Sequence, residues 1–484
     1  MNNHKLIQIF NTFNRKEWRE FSKFVESPYF NTDKHCIRLL QILKKEFAKN
    51  GDFQLSRTRL ESLFSKDNAA DASLLNVKLS LLTRLAEQFF RQQELEETPL
   101  LSKDLLLKRL FKKGLNGHFE SAYRRDSNLH ESPEKVSAEH YLYKYLIQHD
   151  FLRYNMAADK KTFLANENLQ YTNETLDVFY LIKKIDLYNR MSMIRRIFQK
   201  KYDMGSFQFV ESMALLPCYA NHPIIQLYYA LFMLHQTPSP QNFNHLRKTM
   251  RKYIHKLDTV YTKSFYIAGS NYCAEKMRKG ENYYEEIHEI YADMEEAGLL
   301  ATREWTDIRT LKNTVVSGLI VKKFEWAAYI IEKYKDKIEP SIRESAYNYL
   351  LALYAMDKKE FDEAVGYLIQ AGNVDFEFNM NIKSHLIQCY YELDTSYNRH
   401  TEQAIRSYKV FFKQSKYFSD QTKDIFINFG NIIHHLYRAK HNEGRATIEE
   451  ASKKMEQYES VMYRDWLLEK IEELQNRPRR RAQC

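Results

Sequence analysis

Glycine and proline are scarce in this chain, 12 and 9 of 484 residues, about 4% together where about 12% is usual. Both residues punctuate the turns that sheets need in quantity, so their scarcity argues against a turn-rich β protein and predicts an all-α one. Long apolar runs are also missing. The longest, 227–234 and 349–356, hold eight residues each, far short of the roughly 18 a membrane-spanning helix requires. Residues 1–18 carry no apolar core followed by a small-residue cleavage site, so no export signal is expected. Five cysteines (Cys36, Cys218, Cys273, Cys389 and Cys484) lie 55 or more residues apart without a CxxC pair. That odd, sparse set suits the reduced thiols of a cytoplasmic protein better than a disulfide framework.

Catalytic motifs are absent too. No GxxxxGK[ST], GxGxxG, GxSxG or HExxH occurs, which predicts a non-enzymatic protein without a nucleotide or other cofactor. One ExxH, Glu285 with His288, has the spacing of di-iron helix bundles, but these need a second copy. It reads as a solvated face of the acidic stretch 281–296. His434 and His435 are sequence neighbours, about 100° apart on a helix, so with His441 they make no ready metal site. The 34 tyrosines could stack on bases, yet Tyr228, Tyr253, Tyr272, Tyr291 and Tyr354 fall on apolar stripes and are expected to pack. A helix-turn-helix over 55–85 is disfavoured because its connection, about 65–71, exceeds the usual short turn.

Acid is missing from one window: 212–257 contains no Asp or Glu. Within it Leu246, Met250, Tyr253 and Leu257 predict a buried stripe. Arg247, Lys248, Arg251 and Lys252 are expected on the opposite side, facing water as a candidate surface for an acidic partner. The net charge of +10 arises wholly in the first half. Residues 1–250 hold 37 Lys and Arg against 27 Asp and Glu, whereas 251–484 hold 36 of each sign. Arg477, Arg479, Arg480 and Arg481 add a second basic element in a tail expected to be disordered.

What is present is a repeat. An aromatic followed three positions later by a small or apolar residue recurs as Tyr284/Ile287, Phe324/Ala327 and Phe361/Ala364, then as Thr401/Ala404. The second members lie 40, 37 and 40 residues apart, the length of one helical hairpin with its turns. The expected architecture is an α-solenoid of helical hairpins behind an N-terminal helical domain. Its expected segments are 1–97, a compact N-terminal domain; 98–256, irregular hairpins; 257–440, the clear repeats; 441–475, a single capping helix; and 476–484, the tail. The N-terminal domain shows Phe21, Phe24 and Val25 before Ser27-Pro28, and a stripe of Cys36, Leu39, Leu40, Leu43 and Phe47 ending at Asn50-Gly51. Leu60 and Phe64 follow Ser56, and Leu75, Leu79, Leu82, Ala86 and Phe89 mark a longer helix. Polar turns are expected at 114–117 and at Ser132-Pro133. Leu176, Phe179, Ile182, Ile185, Tyr188 and Ile194 are expected to face a core. Pro223 and Pro240 each read as a helix start.

From Tyr347 onward the chain resembles the tetratricopeptide repeat family. Tyr347, Leu350, Leu351 and Tyr354 match a first helix, and Phe361, Ala364, Leu368 and Ala371 a second. The turn between them is one residue longer than the family's and lacks its favoured glycine. The resemblance implies a concave groove for a protein or peptide partner, with Ser345, Asn348, Ser384 and Gln388 pointing into it. The run from Phe21 to Asn31 is similar to the start of an uncharacterised family of helical proteins from Bacteroidota, which implies no activity. The sequence thus predicts a protein- or peptide-binding scaffold without membrane insertion. The competing expectation is a nucleic-acid-associated protein using the basic first half.

Overall fold

The computed structural model describes residues 4–50, 56–65, 72–125, 135–157, 168–198, 201–301, 305–372, 376–394, 399–414, 420–441, 444–458 and 460–476. Gly51, most of the 65–71 connection, Ser132-Pro133, Cys484 and the four arginines of the tail lie outside them. The described residues form 24 α-helices with short 3-10 turns and no strand. The protein is all-α. It divides into two compact units, 1–229 and 230–484.

The first unit begins with α1 (Lys5–Asn11), α2 (Arg15–Glu26), α3 (Lys34–Asn50), α4 (Arg57–Ser65) and α5 (Ala72–Glu97). Their stripes close on one core, in which Leu6, Phe10, Phe21, Val25, Cys36, Leu39, Leu43, Leu60 and Leu82 are buried. Local chemistry sets the ends. Asn14 and Glu17 form a reciprocal capping box at the start of α2, which satisfies two amides that the first turn leaves open. Ser27 ends that helix ahead of Pro28, and the Ser56 hydroxyl accepts from the Arg59 amide.

Next come α6 (Pro99–Lys112), α7 (Asn116–Arg124), α8 (Ala138–Ala157), α9 (Asn168–Phe198), α10 (Phe207–Ala214) and α11 (Pro217–Ala220). Leu107, Phe119, Ala122, Ile147 and Tyr154 form a second, smaller core in this unit. In α9 the buried positions include Thr172, Thr175, Val178, Leu181, Ile182, Ile185, Tyr188, Asn189 and Ser192, while Leu176, expected inside, is exposed. Leu176 lies only two residues before Val178, about 200° round the helix, so both cannot face one core.

The helix α12 (Pro223–Gln236) contains the division between units. The second unit continues with α13 (Pro240–Tyr253), α14 (Thr259–Arg278), α15 (Tyr284–Glu296), α16 (Ile308–Ile320), α17 (Phe324–Tyr334), α18 (Arg343–Asp357), α19 (Phe361–Ala371), α20 (Phe376–Leu393), α21 (Arg399–Gln414), α22 (Asp420–His441), α23 (Gly444–Gln457) and α24 (Arg464–Gln475). Pro240 opens α13 with Ser239 as its cap. Helix α13 packs on α14, so 240–253 belongs with the second unit and not with the segment ending at 256.

Within the second unit each helix from α13 to α23 packs on its successor, and α16 also touches α18. The repeated aromatics have a common position: Tyr284, Phe324 and Phe361 are each the first residue of a helix. Ala327 and Ala364, three residues on, are fully buried. The turns before these helices open alike, although the first is two residues longer than the other two. Gly280, Lys322 and Lys359 adopt left-handed backbones with φ of 81°, 58° and 64°. The following amides, of Glu281, Lys323 and Glu360, reach back to the carbonyls of Lys276, Gly318 and Ala355. Such a bond closes the open carbonyls of a helix end and reverses the chain. Lysine thus serves twice where glycine is favoured.

The fourth instance differs, since α21 starts at Arg399 and its inward residues are Thr401 and Ile405. Ala404 is only half-buried. Of the residues expected to mark a first repeat helix in α18, only Leu350 is buried; Tyr347, Leu351 and Tyr354 are half-buried, and the buried face is instead Ala346, Asn348, Tyr349, Leu350, Ala352, Leu353 and Ala355. The expected single capping helix is two helices, α23 and α24, broken where Tyr463 takes a left-handed φ of 53°. These helices share a core with α20–α22 that includes Ile405, Phe412, Phe429, Leu436, Tyr437, Ala451 and Leu467.

Candidate functional site

Helices α13, α14 and α15 surround a cleft of about 420 Å³, a volume within the usual range of ligand sites, about 300–1,000 Å³. Its floor is apolar, built from Leu246, Met250, Ile254, Phe265 and Ile290. Gly269 lies in the floor, where an added Cβ would meet Ile290 Cδ1 at 3.1 Å. The missing side chain lets α14 and α15 approach closely.

Charge of both signs lines the rim. Arg247, Arg251 and His255 stand on the α13 side, with Asp293 and Glu296 on α15. Arg247 Nη2 donates to Glu289 Oε2 at 2.7 Å, and Arg251 Nη2 reaches the same oxygen at 3.3 Å. The hydrogen bond from Arg247 holds the Glu289 carboxyl below its ordinary range, against some burial. Burial raises the Asp293 carboxyl. The two arginines oppose that rise, and Glu289 and Glu296 add to it. The Tyr266 phenol is pushed up to about 12 by burial, then by Asp293 and Glu296.

The basic quartet is therefore not one surface. Arg247 follows Phe243 by four residues, so it lies about 40° from that buried ring and flanks the stripe. Its side chain is only 13% exposed and turns onto Glu289, whereas Lys248 and Lys252 face water. Arg251 is exposed but shares the same carboxylate. The expectation that all four face water together is corrected for Arg247.

Three of the four groove residues, Ser384, Gln388 and Asn348, are corrected as well. Ser384 is fully buried, bonded to the Met380 carbonyl and the Tyr408 hydroxyl. Gln388 is buried and its side-chain oxygen meets His385 Nδ1 at 2.9 Å. Asn348 is buried and Ser345 half-buried. Helices α18 and α20 each have packed neighbours before and after them, and Asn348, Ser384 and Gln388 are buried within that packing.

Other candidates resolve into packing. His288 is buried with its ring edge-on to Trp326, centroids 4.7 Å apart, and burial lowers its pKa. His434 and His435 face different carboxylates, Glu402 and Glu450. Tyr228, Tyr272 and Tyr291 are buried. Cys36, Cys273 and Cys389 are buried thiols, each pushed up to about 12 by that burial, which disfavours the reactive thiolate.

The sequence reading identified the two arginines of the cleft but missed its other wall. The available signal was Asp293 and Glu296, one turn apart at the end of an otherwise amphipathic helix. Comparison with protein-family models, with curated proteins and with solved structures finds no match to the chain.

Proposed function

We propose that this chain is a non-enzymatic, cytoplasmic helical-repeat scaffold whose second unit stacks tetratricopeptide-like hairpins, and that it takes a segment of a protein partner into the α13–α15 cleft. The observation that carries the reading is the cleft itself: an apolar floor with opposed charges on its rims. An apolar floor gives binding energy, and rim charges give register and discrimination. The repeated left-handed turns before α15, α17 and α19 support the hairpin architecture. A nucleic-acid role through the basic first half has less support. Within the acid-free window, Arg247 and Arg251 converge on one glutamate, which removes two cations from the positive field that phosphate contacts need.

The test is affinity capture from native lysate, with and without nuclease, using the wild-type chain and Ala297→Trp. Ala297 is an exposed residue of the rim, so the indole blocks the cleft without entering a core. The expected result is a set of proteins held by the wild type, resistant to nuclease and lost from the variant. Loss of capture on nuclease treatment favours the nucleic-acid reading, and capture unchanged by Ala297→Trp removes the cleft from the site.

A further inference from the structure

The charges around the α13–α15 cleft are unequally engaged. Arg247 and Arg251 each turn one guanidinium nitrogen onto Glu289. Asp293 and Glu296 lie one helical turn apart on α15 and line the same cleft. Among the described residues, neither carboxylate makes a hydrogen bond or ion pair. The cleft charges left without a contact partner are therefore the two carboxylates of α15, although the α13 wall opposite them is free of acid.

We propose that the cleft takes a long-chain cation, a lysine or arginine side chain of the incoming peptide, with its stem on the apolar floor and its charge at Asp293 and Glu296. This deepens the peptide-binding reading and rests on it. Lysine and arginine carry several methylenes behind a charged head and settle with the stem on apolar surface and the head at its edge. The cleft offers that sequence of surfaces: Leu246, Met250, Phe265 and Ile290 below, the Tyr266 ring beside them, and the two carboxylates at the rim. An incoming cation also relieves the repulsion among Glu289, Asp293 and Glu296 that helps raise the Asp293 carboxyl. An acidic side chain meets the reverse situation, since Arg247 and Arg251 already share Glu289 and the two carboxylates of α15 repel it.

Three short fluorescent peptides of equal length, alternating Leu with Lys, Leu with Glu and Leu with Gln, are titrated into the full chain. The variants are Ala297→Trp and the double substitution Asp293→Asn with Glu296→Gln. Circular dichroism and the thermal midpoint establish that each is folded. The Leu/Lys peptide should bind tightest and weaken with added salt. The double variant should lose about ten-fold or more of that affinity while its Leu/Gln binding is unchanged. Equal binding of the Leu/Lys and Leu/Glu peptides overturns the proposal, as does a double variant that keeps the Leu/Lys preference. If Leu/Gln and Leu/Glu bind, are blocked by Ala297→Trp and match Leu/Lys, the cleft remains a peptide site and only the cationic assignment falls. If no peptide binds, both fall together.

Discussion

Gly318 lies directly against the indole of Trp326: a Cβ built on it would sit 2.6 Å from Trp326 Cε3 and 3.6 Å from the Ala327 Cβ. The glycine is inside α16, where it costs about 1 kcal/mol of helix propensity relative to alanine. Its value is the close approach of α16 and α17. Gly318→Ala should therefore destabilise the second unit by about 1–3 kcal/mol despite the better helix former, read as a lower denaturant midpoint. A stabilised variant would show that Trp326 moves aside freely.

Lys359 provides the opposite case. Its left-handed backbone costs a non-glycine residue about 1–2 kcal/mol, and the added chain entropy of glycine returns part of that on substitution. Lys359→Gly should raise stability by about 0.5–1 kcal/mol. Lys322→Gly should gain less, because Lys322 Nζ also pairs with Asp357 at 3.0 Å and exposed pairs contribute up to about 1 kcal/mol. Equal gains at both sites would mean that this ion pair contributes nothing.

The basic face should separate into two classes. Lys248→Gln and Lys252→Gln change exposed side chains and should leave stability within about 0.5 kcal/mol. Arg247→Gln removes a half-buried partner from Glu289 and should destabilise by about 1–2 kcal/mol. Chemical denaturation of the three single variants checks the order, and an Arg247 variant indistinguishable from the lysine variants would return the quartet to one solvated face.

Acid should weaken the second unit through His385. Burial lowers its pKa to about 4 from an ordinary 6.5, with Lys312 adding to the fall and the Gln388 hydrogen bond opposing it. The unfolded chain then binds a proton that the folded one refuses. The stability contribution is complete above pH 6.5 and declines through the window from 6.5 to 4, by about 1.4 kcal/mol per pH unit for one such group. His140 in the first unit has the same lowered value, through burial first and Lys144 second. His385→Gln should flatten the pH dependence of unfolding followed by second-unit probes, and an unaltered slope would place the titration elsewhere.

Much of the fold was legible because its signals are local. Ser56 and Pro240 act within the first turn of their own helices, and the stripes of α2, α3 and α5 are regular enough to define a face. Phe324 and Phe361 marked helix starts because the turns before them recur with the same spacing. The failures share a different cause. Ser384, Gln388 and Asn348 are polar by type but buried by the packing of one helix on the next, which no single-helix pattern reveals. Arg247 looked exposed because it is charged, although its angle placed it beside Phe243. Tyr463 breaks the last helix without a glycine or proline to announce it. Its hydroxyl lies 3.4 Å from both Asn381 Oδ1 and His385 Nε2, so the break is held by contacts from α20.

The left-handed lysines also place protease sites at the joints of the second unit. Trypsin cleaves after lysine, and it needs several residues of extended chain in its active site. Lys322 and Lys359 stand between packed helices in turns closed by backbone hydrogen bonds, so each is chemically cleavable but conformationally shielded. Cutting there requires the local joint to open, and when opening and closing are fast its rate follows the free energy of that joint alone. Under native conditions the chain thus carries its own gauge of modularity: early nicks at 322 and 359 would release the segment that holds α17 and α18, and uniform resistance would mean that the unit opens only as one body.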